Sequence, residues 1–310
     1  FLVMRNINKT TIALIIGFVF FWNSGFVGAE YGLPYAQPFT QLFWRYIGVA
    51  AIMLIYLLSR KRFRWLSWKQ AYPQFIIGVL AHGVWLSCSL FAITEGVPAG
   101  IVALIVSLQP ITTGAMEGIV TGQHTTRQQW LGLVIGFLGV ALPIIFRLDG
   151  HKVSFVTYLI PLGSVVAITI ASLYQRHRQY DKSIQTVNLD LSLFYQALGT
   201  LIVLIGPALI FEDFKTEWTS EFILTISWLS VFVSLGAYYM MWMLIERISA
   251  TRVASLFYLG PPVTMLMAWI LFGDQIETWD IVGLLIIVVG LGITQIDFKK
   301  YFPNLSLKLK

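Results

Sequence analysis

Residues 102–141 read VALIVSLQPITTGAMEGIVTGQHTTRQQWLGLVIGFLGVA, and residues 253–292 read VASLFYLGPPVTMLMAWILFGDQIETWDIVGLLIIVVGLG. Aligned without a gap, the two stretches are identical at twelve of forty positions. They share a proline, Pro110 with Pro261, which we expect to interrupt the helix in both copies. A gap-free match over two apolar segments and their connection is improbable by chance. The sequence therefore predicts an internal repeat with an offset of 151 residues.

The composition assigns both stretches to a membrane. Hydrophobic residues make up 57% of the chain and charged residues 12%, whereas about a quarter of a soluble domain is charged. Apolar blocks of about 17–25 residues can cross a hydrocarbon core of about 30 Å. Backbone groups in lipid must bond to one another, so each block should be helical. The predicted spans are 10–28, 40–58, 74–93, 99–121, 130–146, 153–174, 191–211, 222–245, 253–272 and 281–296.

We therefore expect an all-α membrane protein with ten transmembrane helices in one integral membrane domain, 1–310. Repeat one covers 10–146 and repeat two covers 153–296. Because five is an odd number of spans, the two copies must lie in the membrane with opposite polarity. Inverted repeats give a protein two nearly equivalent conformations, one open to each side, which many secondary transporters use for alternating access.

Positive charge predicts the orientation of the helices. With the N-terminus in the cytoplasm, the predicted cytoplasmic segments hold 17 of the 21 Lys and Arg residues. The acidic loops at 212–221 and 274–280 then fall on the far side. We expect both termini to be cytoplasmic and the protein to be a multi-pass protein of the cell membrane, the inner membrane in a bacterium. The basic excess is thereby explained by topology, so nucleic acid is not an expected partner.

Several short segments carry a family resemblance. Residues 22–26 (WNSGF), 32–35 (GLPY) and 43–46 (FWRY) resemble the opening of EamA-type members of the drug/metabolite transporter superfamily, and 259–275 resembles their closing segment. The resemblance implies a ten-helix transporter that exports amino acids, other metabolites or drugs. It also implies a central cavity lined mainly by the first, third, fourth, sixth, eighth and ninth helices.

The leading expectation is a secondary active transporter that exports amino acids or similar small organic metabolites and is driven by protons. The alternatives are a facilitative uniporter, an importer of a small organic cation or, from a different class, an intramembrane enzyme or sensor that uses His82 and Glu117. The chain has no glycine-rich phosphate loop ending in Gly-Lys-Ser/Thr, which argues against pumping driven by ATP. Cys88 is the single cysteine, which excludes a Cys-based metal cluster. We do not expect the protein to be an enzyme or to bind a cofactor or a metal. The expected partners are the substrate, the bilayer and protons. We expect the chain to be a monomer or a homodimer.

Ionisable groups inside a span are costly, so each is a functional candidate. Glu117 shares a helical face with Gln109 and Thr113 and is the first candidate for proton coupling, although a structural contact near the cytoplasmic end is the alternative. His82 is the second candidate, because histidine changes charge near neutral pH; a neutral histidine bonded to a carbonyl is its alternative. For Arg45 we expect a structural role, as an ion pair or as a tether between helices, and contact with the substrate is its alternative.

Aromatic residues on the implied cavity helices are candidates for binding a ligand, although Trp and Tyr also collect at membrane interfaces. Tyr239 and Tyr258 lie deeper in their predicted spans than most and are the favoured pair. The predicted substrate-binding residues are Trp22, Asn23, His82, Trp85, Gln109, Thr113, Tyr239 and Tyr258.

Overall fold

The computed structural model describes residues 9–95, 97, 102, 105–122, 124–146, 154–180, 187–272, 276 and 278–295. Regular structure in these ranges is helical, apart from an isolated β-bridge between Ala36 and Thr216. The helices are α1 (Lys9–Gly32), α2 (Pro38–Ser59), α3 (Trp68–Gly78), α4 (Trp85–Thr94), α5 (Gln109–Thr121), α6 (Arg127–Phe146), α7 (Phe155–Tyr180), α8 (Leu189–Glu212), α9 (Ser220–Trp228), α10 (Tyr238–Arg247), α11 (Ala250–Ser255), α12 (Gly260–Phe272) and α13 (Thr278–Gln295).

Two π-helical segments continue helices without breaking them. The first, Val79–Val84, joins α3 to α4, and the second, Leu229–Ala237, joins α9 to α10. They lie at equivalent positions of the two repeats when the offset of 151 residues is applied. A π-helical turn accommodates an extra residue and is frequent at functional sites.

Seven helical segments in the described part of the chain are long and apolar enough to cross a membrane. They are Lys9–Ala29, Pro38–Ser59, Trp68–Ala92, Val156–Arg178, Leu189–Glu212, Ser220–Arg247 and Thr278–Gln295. The chain ends, 1–8 and 296–310, and residues 98–101 at the start of the predicted fourth span lie outside the described ranges.

The predicted span 253–272 is not one continuous α-helix. The 3-10 segment Leu256–Leu259 separates α11 from α12, which begins just before Pro261. In the first repeat, α5 likewise begins with Pro110 in its first turn. Proline lacks the N–H that a helix interior needs but is accepted in the first turn of a helix. The shared proline therefore divides the span in both repeats.

The second helices of the two repeats, α2 and α8, pack against each other in opposite directions. At one end the Glu212 carboxylate accepts hydrogen bonds from the backbone N–H groups of Phe39 (3.0 Å) and Thr40 (2.6 Å). At the other end Arg62 forms an ion pair with Asp190 at 3.3 Å. Because the offset of 151 residues makes α2 and α8 equivalent, the two halves of the chain run in opposite directions.

The last helices of the two repeats, α6 and α13, also pack in opposite directions, through glycines. A Cβ atom added to Gly290 would lie 2.4 Å from the backbone nitrogen of Gly136. A Cβ atom added to Gly139 would lie 2.9 Å from the carbonyl oxygen of Gly283. Small residues allow such close backbone approach between helices in lipid.

The first helices of the two repeats exchange partners. Helix α1 packs mainly against the second π segment, α10 and α12, while α7 packs mainly against α4, α5 and the first π segment. Each half thus encloses the first helix of the other half. The centre of the molecule is consequently built from both repeats.

Candidate substrate-binding site

A cavity lies between α1, α2, α4, the second π segment and the start of α10. The lining is mostly apolar and comprises Trp22, Gly25, Phe26, Ala29, Gln41, Leu42, Arg45, Trp85, Leu86, Ser89, Leu90, Leu229, Val233 and Tyr238.

An aromatic cluster forms one wall of this cavity. The ring of Trp22 lies 5.3 Å from the ring of Trp85 and 4.9 Å from that of Tyr238, measured between centroids. All three side chains are buried. Tilted rings at these separations attract each other and offer a rigid apolar surface to a ligand.

Arg45 is the charged residue in the lining. Its side chain is buried, and its Nε–H donates a hydrogen bond to the hydroxyl of Ser234 in the second π segment at 2.6 Å. The guanidinium carbon also lies 5.8 Å from the centroid of the Tyr46 ring. Arg45 therefore ties α2 to the other repeat, as a tether would. No carboxylate in the described ranges forms an ion pair with it.

His82 lies behind the aromatic wall rather than in the lining. Its ring centroid is 3.8 Å from that of Tyr238. Its Nε2 lies 3.3 Å from Oε1 of Gln196, an oxygen that also accepts the indole N–H of Trp242 at 3.1 Å. Because that oxygen is an acceptor, Nε2 is assigned the proton and Nδ1 the lone pair. Nδ1 is buried and has no hydrogen-bond partner among the described residues.

Glu117 caps a helix of the other repeat. Its carboxylate accepts the backbone N–H groups of Ala250 (2.9 Å) and Thr251 (3.1 Å) and the Thr251 hydroxyl. These two N–H groups belong to the first turn of α11, where backbone donors have no partner within the helix and the helix dipole favours negative charge. Gln109 and Thr113 are also buried, and the hydroxyl of Thr113 lies 3.4 Å from that of Thr169 on α7. The predicted polar stripe thus faces the other repeat.

The structure places three further predicted residues away from a direct lining role. Tyr239 is 43% exposed, and its neighbour Tyr238 lines the cavity instead. Tyr258 is fully buried, and its hydroxyl donates to the carbonyl of Leu133 at 3.0 Å. Asn23 donates to the carbonyl of Val19 within its own helix at 2.6 Å.

Of the predicted binding residues, Trp22 and Trp85 lie in the lining, and His82 lies one ring behind it. The sequence did not indicate Gln41. Tyr239 was preferred to its neighbour Tyr238 as a binding residue, and a structural role was preferred for Arg45. Gln41 and Arg45 are spaced i, i+4 and form a polar stripe, which could have indicated two of the three lining positions on α2. No group of three or more His, Cys, Asp or Glu side chains in the described ranges could hold a metal ion.

Comparison with known proteins adds a family match in both halves. The model of the EamA-like transporter family matches residues 9–145 and again residues 156–295. An uncharacterized transporter of Bacillus subtilis (strain 168), YvbV, is 26% identical, with 93% of this chain and 92% of that protein covered. A "Probable amino-acid metabolite efflux pump" of Salmonella typhimurium (strain LT2) is 22% identical, with 93% and 95% covered.

The fold itself also occurs in a solved structure. A protein of known crystal structure superposes with a TM-score of 0.75 at 15% identity, covering 92% of this chain and 96% of that chain. At this level of identity the likeness concerns the fold alone.

Proposed function

Because the chain belongs to the EamA-like transporter family, we propose that it is a secondary active transporter that exports amino acids or similar small organic metabolites by alternating access. It is a multi-pass membrane protein of the bacterial cell membrane. The observation that carries the proposal is the cavity, whose walls come from helices of both repeats. A site between oppositely oriented repeats is where secondary transporters bind their substrates. The chain acts on its substrate by moving it, not by chemical conversion.

The proposal includes ten spans with both termini in the cytoplasm. The lining residues of α1 lie in its second half and those of α2 in its first half. The cavity is therefore near the end of the bundle opposite Lys9. With Lys9 at the cytoplasmic surface, the cavity lies toward the outer surface. At the other end, Glu117 binds the first turn of α11 and Arg176 binds the carbonyl of Ile245, which supports a closed cytoplasmic side.

We assign proton coupling first to His82 and second to Glu117. The His82 ring contacts Tyr238, and its Nδ1 has no partner in the described part of the chain. The Glu117 carboxylate, in contrast, is occupied as a helix cap. A group that exchanges protons during transport needs an atom able to accept one, and this requirement favours His82.

Transport by purified protein in proteoliposomes tests the proposal. Vesicles loaded with unlabelled L-leucine, L-phenylalanine or L-threonine should exchange with the labelled compound, and a pH gradient should drive its accumulation. Recovery of the labelled compound unchanged separates transport from enzymatic conversion. Exchange that never exceeds that of protein-free vesicles would contradict the transporter, while exchange without accumulation would support the uniporter alternative.

A further inference from the structure

Arg45 carries a charge that the protein itself leaves without a counter-ion. The side chain is 4% exposed and lines the cavity. Its Nε–H donates to Ser234, and its two terminal amino groups make no hydrogen bond within the described ranges. Removing a cation from water without pairing it is costly, especially within a membrane. The guanidinium therefore has unused capacity for an anionic ligand.

The second repeat provides an internal comparison. The position equivalent to Arg45 is Gln196 on α8. Gln196 is fully buried, accepts bonds from Trp242 and His82, and donates to Gln74 at 3.0 Å. A neutral side chain thus satisfies the same position of the packed α2–α8 pair. Helix packing does not require the charge of Arg45, so the charge needs another explanation.

Two further residues of the cavity lining have unpaired polar atoms. The indole N–H of Trp85 and the Oε1 atom of Gln41 are buried and have no hydrogen-bond partner in the part of the chain that the structure describes. The indole group can only donate, and the amide oxygen can only accept. Together with Arg45, the lining offers a cation, a neutral donor and an acceptor. The rest of the wall is mainly aliphatic and aromatic.

We propose that the Arg45 guanidinium binds the carboxylate of the transported substrate, and that the substrate class is zwitterionic α-amino acids with apolar side chains. This inference rests on the transport function proposed above. A planar guanidinium matches a carboxylate in a paired hydrogen-bonding geometry. The indole N–H of Trp85 is a second donor for the carboxylate, and Oε1 of Gln41 accepts from the substrate ammonium group. The side chain of the amino acid then lies among Trp22, Trp85 and the lining leucines.

Pairs of ligands that differ only in the carboxylate test the role of Arg45. Binding of L-leucine and isopentylamine, and of L-phenylalanine and phenethylamine, is measured by thermal shift and by calorimetry on the intact protein in nanodiscs. Each amino acid should bind at least about tenfold more tightly than its amine. Arg45→Gln should remove this preference, and Arg45→Lys should restore part of it, since lysine keeps the charge without the planar geometry.

Arg176→Gln is the matched control, because Arg176 is also a buried arginine but bonds to the carbonyl of Ile245 and is absent from the lining. It should keep the preference for the carboxylate even where its melting temperature falls. The proposal is overturned if the amines bind the native protein as tightly as the amino acids, if Arg45→Gln keeps the preference, or if no amino acid in the set binds at millimolar concentration.

Parallel measurements in proteoliposomes separate the two proposals. Export of amines in preference to amino acids would leave the transporter intact and remove the carboxylate assignment. Binding of amino acids without any exchange would support Arg45 as a carboxylate ligand and contradict the transport function.

Discussion

At the scale of single residues, the contacts of Glu117 predict a loss of stability when its carboxylate is removed. Glu117→Ala deletes the acceptor for the N–H groups of Ala250 and Thr251, which are buried. Unpaired buried donors typically cost about 1–3 kcal/mol, so the melting temperature of the detergent-solubilised protein should fall. Glu217→Ala removes an exposed loop carboxylate and is the control. Equal melting temperatures for the two variants would contradict the capping role.

Substitutions of His82 and Glu117 should differ in their effect on proton coupling, which distinguishes the roles of the two residues. His82→Gln should abolish accumulation driven by a pH gradient, because glutamine cannot bind the proton. Exchange of substrate down its own gradient should continue, since that step moves no net proton. The Glu117→Gln variant should still couple transport to protons, because an amide oxygen can still accept a hydrogen bond from a backbone N–H. Uphill transport by the His82 variant, measured as accumulation in proteoliposomes, would contradict the role of His82. If Glu117→Gln then loses accumulation, the coupling role passes to Glu117, and if both variants accumulate substrate, neither residue is the proton carrier.

The site could be predicted from the sequence only in part, for a physical reason. Trp22 and Trp85, which lie in the lining, could be selected from the sequence because the family resemblance implies which helices line the cavity. Tyr239 was predicted for a cavity that Tyr238 lines. Periodicity assumes about 3.6 residues per turn, whereas the second π segment immediately precedes these residues. An extra residue in a turn changes which neighbour faces inward, and nothing in the apolar sequence 229–237 marks it.

At the scale of helices, the glycines between α6 and α13 predict opposite effects for two nearby substitutions. Gly290→Ala places a Cβ 2.4 Å from the backbone nitrogen of Gly136. The backbones can relieve this contact only if the two helices move apart. Overpacking of this kind typically lowers the free energy of unfolding by about 1–3 kcal/mol. Gly292→Ala is the control, since its Cβ meets nothing within 4 Å in the described structure. Alanine also favours a helix over glycine by up to about 1 kcal/mol.

The measurement is the melting temperature of both variants in the same detergent. Gly290→Ala should melt lower than the native protein and Gly292→Ala at the same temperature or higher. A harmless Gly290→Ala substitution would mean that α6 and α13 do not approach each other this closely.

Sequence patterns located the helices better than their interruptions. The shared proline predicted a break in both repeats, and α5 and α12 do begin at Pro110 and just before Pro261. The predicted spans 99–121 and 253–272 were nevertheless each given as one continuous helix. Apolar composition measures affinity for lipid and carries no information on whether a buried segment is α-helical or 3-10.

At the scale of the whole molecule, the distribution of positive charge predicts the topology. A reporter enzyme fused after Arg62 should report a cytoplasmic location, and one fused after Glu217 should report the opposite side. Arg62 and Glu217 lie at opposite ends of the α2–α8 pair, so the two reporters must disagree. Two reporters on the same side would contradict both the orientation and the antiparallel arrangement of these helices.

The repeat offset predicted which helices are equivalent but not which of them touch. The offset of 151 residues identifies α2 with α8 and α6 with α13. Their contacts depend on complementary details, such as Glu212 at the first turn of α2 and Gly290 against Gly136. Such pairings join residues far apart in the chain and leave no local periodicity in the sequence.

The bond between Glu212 and Thr40 also constrains how the protein is made. The two residues are 172 positions apart in the chain. At about 5–20 residues per second, a ribosome needs roughly 10 to 30 seconds between them. Throughout that interval the nascent first half holds Arg45 and the amides of α2 in the membrane before Ser234 and Glu212 exist. Until the second half has been synthesised, lipid, water or the insertion machinery must therefore stabilise these polar groups of the first helices.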